Sequence, residues 1–103
     1  MTDGTNAAVA CTLDARAVAG RLAEWAELLG HGLERRRIDG GWSIRFAADP
    51  SLIGRLADVA VREHECCAFF SFAIVVDGGS QIRFEARAPE TAQPLLDELL
   101  NLT

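Results

Sequence analysis

The segment Arg62-Glu63-His64-Glu65-Cys66-Cys67 gathers two thiols, two carboxylates and an imidazole, and it runs directly into Ala68-Phe69-Phe70-Ser71-Phe72. Two chemistries use such a set. Thiolates joined by a carboxylate or an imidazole make the donor shell of a soft metal or metalloid ion. Alternatively, one cysteine is a nucleophilic or redox thiol activated by His64. A third reading involves no chemistry, because free cysteine is among the most buried residue types and packs as a small hydrophobe.

The elements that must carry these residues sharpen the choice. Asp49-Pro50 supplies a cap followed by proline at the first helical position, and the spacing predicts a helix from about 50 to 67. At about 100° per residue, Leu52, Leu56, Val59, Ala60 and Cys67 share one apolar stripe. Glu63 falls in the middle of that stripe, Cys66 borders it, His64 and Ile53 lie on the other border, and Asp58 and Glu65 face away. A carboxylate on a buried face must find a cation, find donors or take up a proton. Glu63 is therefore a metal ligand, the partner of an arginine or the cap of a neighbouring element. Adjacent helical residues diverge by about 100°, so Cys66 and Cys67 can serve one ion only where the helix ends. A helix C-terminus carries partial negative charge, Glu63 and Glu65 add to it, and Arg62 offsets only part. These surroundings disfavour a free nucleophilic thiolate and suit a bound cation.

The expected site is thus a metal shell of Glu63, Cys66, Cys67 and His64, with Cys11 as a further thiol, and zinc, mercury, copper(I) and arsenite as the candidate ions. No catalytic residue is assigned. His31, beside the Gly30 helix stop, reads as a capping or loop histidine.

Around this helix the chain alternates between two periods. Residues 7–13 alternate with Val9, Cys11 and Leu13 on one side, the pattern of a half-buried strand. Asp14 then caps a helix with Ala15, Val18, Leu22, Trp25 and Leu29 at spacings of three and four, stopped at Gly30. Strands over 33–39 and 42–47 turn at Asp39-Gly40-Gly41, and strands over 70–76 and 81–87 turn at Asp77-Gly78-Gly79. The two hairpins match at an offset of 38 residues, Asp39 against Asp77 through Phe46 against Phe84. The tail from Pro89 to Leu102 is a leucine-rich helix whose start is delayed by Pro94. The predicted fold is α+β and two-layered: an antiparallel sheet of about five strands with helices on one face. Its order is β-α-β-β-α-β-β-α, built as tandem helix-hairpin units. Leu95, Leu96, Leu99, Leu100 and Leu102 cover more than one face of the last helix, so part of the set offers a homodimer surface, with docking across the sheet edge as the alternative.

Composition bounds the rest. The chain has 103 residues, half of them hydrophobic, and a net charge of −5. That describes one globular domain over 7–103 behind a disordered stretch 1–6. The acidic balance argues against nucleic acid, and Arg35-Arg36-Arg37 reads as a solvated strand. No apolar run spans a bilayer, and the polar start lacks the features of a signal peptide. Three cysteines, an odd count, fit reduced thiols in the cytoplasm.

The run Arg62–Phe72, followed by an acidic glycine turn, a strand and Ala88-Pro89-Glu90, resembles a family of small uncharacterised bacterial proteins. Its mark is an Arg-Glu-x-Glu-Cys-Cys-x-Phe-x-x-Phe segment, found alone or associated with MerR-type metal-responsive regulators. The resemblance covers roughly residues 50–100 and implies a heavy-metal or thiol role for Glu63, Cys66 and Cys67. No helix-turn-helix accompanies it. The expected function is a small metal-binding sensor, carrier or accessory module. The alternatives are a structural or interaction domain with buried cysteines and a redox-active thiol protein.

Overall fold

The computed structural model describes residues 15–100, with side chains from Ala19 onward. Helix α1 spans Ala15–Leu29, strands β1 and β2 span Glu34–Ile38 and Gly41–Ala47, and helix α2 spans Pro50–Cys66. Strands β3 and β4 span Ser71–Val76 and Gln81–Arg87, a short 3-10 turn covers Glu90–Ala92, and helix α3 covers Gln93–Leu100. The sheet order is β1-β2-β4-β3, antiparallel throughout. The α+β class stands. Among the described residues the sheet has four strands rather than about five, and the order is α-β-β-α-β-β-α. The strand expected over 7–13, with Asp14 and Cys11, lies outside the described residues.

The starts of α2 and α3 have local reasons. Asp49 accepts a hydrogen bond from the Ser51 amide at 3.0 Å and caps α2, with Pro50 in the first turn, where its missing N–H costs nothing. Helix α3 starts at Gln93, one residue before Pro94, as proline demands. At both hairpin turns the first glycine carries the positive φ, +82° at Gly40 and +96° at Gly78.

The hairpin match has a counterpart in space. Ile44 lies opposite Phe84 and Phe46 opposite Ile82, so a pseudo-two-fold axis passes between Arg45 and Arg83, themselves opposite and equivalent in the repeat. The outer strands β1 and β3 are exchanged by the same operation and flank the sheet among the described residues.

One face of the sheet is apolar. Ile44, Phe46, Ile82, Phe84 and Ala86 are buried there with Trp25, Leu28 and Leu29 of α1, Leu52, Leu56, Val59 and Ala60 of α2, and Leu96 and Leu100 of α3. Trp25 stacks on Phe72 at 5.6 Å and tilts against Phe84 at 5.9 Å, fixing α1 over β3 and β4. Leu28 replaces Leu22 in the expected α1 stripe: Leu22 is exposed, because the helix is turned so that Arg21, Trp25 and Leu28 face inward. The leucines of α3 dock on the core, Leu96 and Leu100 completely and Leu95 and Leu99 in part, which favours docking over the dimer surface expected there. Leu102 lies outside the described residues. The opposite sheet face carries Glu34, Arg36, Arg45, Arg83, Glu85 and Arg87, whose ion pairs Arg45–Glu34, Arg83–Glu85 and Arg87–Glu85 run across it.

Candidate functional site

The cysteine pair sits where α2 stops. Cys66 is the last helical residue, and Cys67 leaves the helix with φ −130° and ψ 82° while its amide donates to the Glu63 carbonyl at 2.7 Å. The Phe70 amide in turn donates to the Cys67 carbonyl at 3.1 Å, so the chain is folded back tightly before β3. Cys67 is buried among the core side chains and Cys66 is half-buried.

Glu63 is buried as its position on the helix predicts, with 3% of its surface exposed. Its Oε1 accepts hydrogen bonds from Trp25 Nε1 at 2.9 Å and from Arg21 Nη1 at 3.2 Å. The Arg21 side chain is itself only 11% exposed. The cation and the donors demanded by a buried carboxylate thus come from α1. Arg21 is the residue that periodicity alone misses: it stands one turn before Trp25 on the inward face of α1, and that position was the available signal.

The same two helices are laced along their length. Arg62 pairs with Glu24 and Asp58, and Arg55 pairs with Glu27. The Glu24 and Asp58 carboxylates hold the Arg62 guanidinium more firmly protonated than usual. Hydrogen bonding to His31, then to Arg55, keeps the Glu27 carboxyl below the ordinary carboxylate range. The ladder Arg21–Glu63, Glu24–Arg62, Glu27–Arg55 makes α1 and α2 antiparallel, so the first half of α1 lies beside the cysteine end of α2.

His64 turns elsewhere. Its Nδ1 lies 3.1 Å from the Phe70 carbonyl oxygen. A carbonyl only accepts, so Nδ1 carries the proton and, in the neutral ring, Nε2 holds the lone pair. His64 lines a groove of about 640 Å³ between α2 and β3, along with Ala57, Ala60, Val61, Phe72 and Ile74. His31 is exposed and reaches Glu27 one turn back at 3.3 Å, a helix-end histidine as the sequence indicates.

The four expected ligands are therefore neighbours in sequence that the fold points in different directions. Glu63 faces α1, Cys67 faces the core and His64 faces the groove. Among the described residues no three histidine, cysteine, aspartate or glutamate side chains converge to hold a metal ion. Among the described residues no helix is long and apolar enough to cross a membrane. No protein-family model, no curated protein and no solved structure matches the chain.

Proposed function

We propose that this protein binds a soft metal or metalloid ion through the thiols of Cys66 and Cys67, as a sensor, carrier or accessory module in the cytoplasm. The observation that carries the reading is the end of α2 between the two cysteines. On a continuous helix their sulfurs would diverge by about 100°, whereas the non-helical φ/ψ of Cys67 relaxes that constraint. Soft thiolate donors select ions such as zinc, mercury, copper(I) or arsenite.

In this reading Glu63 supports the site from behind rather than ligating. Its carboxylate is committed to Arg21 and Trp25, and its backbone carbonyl caps Cys67, so it ties the middle of α1 to the end of α2 one turn before the thiols. Cys11 is the natural third thiol. It lies four residues before Ala15, a span of at most about 14 Å, and α1 begins beside the cysteine end of α2. The resemblance of the Arg62–Phe72 segment to the Cys-Cys family associated with metal-responsive regulators supports the same role.

A second reading rests on the burial of Cys67, which packs in the core as a small hydrophobe would. Native mass spectrometry with Zn(II), Hg(II), Cu(I) and arsenite separates the two. Metal binding predicts a one-to-one adduct lost in Cys66→Ser and Cys67→Ser and weakened at least tenfold by Cys11→Ser. No adduct, together with thiols that react only after unfolding, would establish the packing role instead.

A further inference from the structure

The two thiols of the pair are unequally placed. Cys66 is half-buried at the last position of α2, whereas Cys67, one residue on, keeps 3% of its surface exposed and packs among the core side chains. A solute arriving from solvent meets Cys66 first. It reaches Cys67 only when the turn that carries Cys67 moves.

That turn hangs between two anchors. Before it stands Glu63, buried and held by Arg21 and Trp25 of α1. After it stands Phe70, 1% exposed and packed edge-on to Phe72 at 6.3 Å. Between them Ala68 is exposed, and Phe69 is half-buried with its ring edge-on to Phe70 at 4.9 Å. Three hydrogen bonds close the stretch. The Cys67 amide donates to the Glu63 carbonyl at 2.7 Å, the Phe70 amide to the Cys67 carbonyl at 3.1 Å, and His64 Nδ1 to the Phe70 carbonyl at 3.1 Å. The first of these already caps the helix, so the His64 bond acts on the turn beyond it. It runs from an exposed side chain on α2 to the far end of the turn and encloses Cys66 and Cys67 in a loop.

We infer that His64–Phe70 is a latched gate: the turn swings away from the core about Glu63 and Phe70 while the rest of the molecule stays folded, the Cys67 thiol comes out beside Cys66, and the His64–Phe70 bond sets how often this happens. As the route by which an ion gathers its second thiol, the gate rests on the proposed metal site; as a motion of the chain it stands without the metal. Opening breaks the two backbone bonds of the turn and exposes one cysteine, whereas unfolding exposes the whole core, so the local route is the more frequent. A side-chain hydrogen bond of this kind changes such an opening equilibrium by about two- to tenfold. His64 is thus a positioning residue at the cysteine pair and not a ligand of it.

The rate at which N-ethylmaleimide alkylates Cys67 tests the gate, measured on the full reduced chain without metal and in a Cys66→Ser background, with the modified residue located by tandem mass spectrometry. In the folded protein the rate should be at least about tenfold below that of the urea-unfolded chain and flat in urea until the unfolding transition. His64→Leu should raise it at least about threefold, and His64→Asn, whose side-chain amide places an N–H where Nδ1 stands, should restore it to within about twofold. Ile82→Val is the control for general weakening of the core, since Ile82 is fully buried on β4 opposite Val76, at the end of β3 away from the turn. It should lower the unfolding midpoint and leave the rate within about twofold of the parent. A rate unchanged in His64→Leu overturns the latch. A rate that climbs with urea from the outset and rises equally in Ile82→Val and His64→Leu overturns the gate, since Cys67 is then reached by unfolding. Alkylation as fast in the folded as in the unfolded chain overturns it too. Because no metal enters, a working latch together with no adduct in native mass spectrometry would keep the gate and remove the ion.

Discussion

Glu63 shows how a single residue can be anomalous in sequence and ordinary in space. A carboxylate in the middle of an apolar stripe costs several kcal/mol if it is left unpaired. Here Arg21 and Trp25 supply the charge and the donors, so the anomaly becomes a clasp between α1 and α2. Removing one partner of a buried pair strands the other, and that is worse than never having the pair. Glu63→Gln should therefore cost about 3 kcal/mol in urea unfolding, because the largely buried Arg21 guanidinium loses its counter-charge. Trp25→Phe keeps most of the aromatic packing but removes one donor, and about 1–2 kcal/mol is expected. A loss below about 0.5 kcal/mol for Glu63→Gln would mean that Arg21 is solvated in solution and that the clasp does not form. The burial of Glu63 was legible from its position on the helix. Its partners were not, because a contact between α1 and α2 joins residues 38 and 42 positions apart, and helical periodicity orients a face without saying what it meets.

At the scale of elements, the tandem hairpins were legible for a physical reason. Aspartate followed by two glycines marks a tight turn in which positive φ is free of steric cost, and Gly40 and Gly78 both adopt it. The second glycines, alike in sequence, differ in role. A Cβ on Gly41 would overlap the Ala86 carbonyl, whereas on Gly79 it would meet nothing closer than 3.9 Å. Gly41 is where β2 slides under the end of β4; Gly79 is merely a turn. Gly41→Ala should accordingly cost more than about 3 kcal/mol or prevent folding, and Gly79→Ala should change stability by less than about 0.5 kcal/mol. Thermal melts of the two variants decide it, and equal costs would show that β2 and β4 can separate locally without penalty. No repeat alignment distinguishes these glycines, since the clash arises from strand order, with β2 against β4 and β3 outside. The exchange of Leu22 for Leu28 has a similar origin. Spacings of three and four define two overlapping stripes on α1, and the choice between them is made by Arg21 reaching Glu63.

Across the whole molecule, the pseudo-two-fold axis creates one electrostatic problem and shows how it is met. Arg45 and Arg83 lie directly opposite on the helix-free face, an arrangement that destabilises a strand pair. Glu34 pairs with Arg45, while Glu85 is shared between Arg83 and Arg87. Hydrogen bonding to Arg87, then to Arg83, holds the Glu85 carboxyl below the ordinary carboxylate range against the opposing effect of burial. A carboxyl whose folded pKa is depressed contributes stability in full above its unfolded value, near about 4.3, and loses that contribution as pH falls through the folded value. Glu27 shifts in the same direction, but it is exposed and adds little. The melting temperature should therefore hold between about pH 7 and 5 and decline as acid is added below about pH 4.3. Glu85→Gln isolates the contribution. Its melting temperature should lie below that of wild type at pH 7, the gap should close as the pH falls, and the two curves should meet once Glu85 is protonated in the folded state. A gap that is constant from neutral to acid pH would assign the loss to packing of the side chain. A gap that widens in acid would reverse the sign of the linkage and remove Glu85 as the charge that lets two arginines face each other at the centre of the sheet.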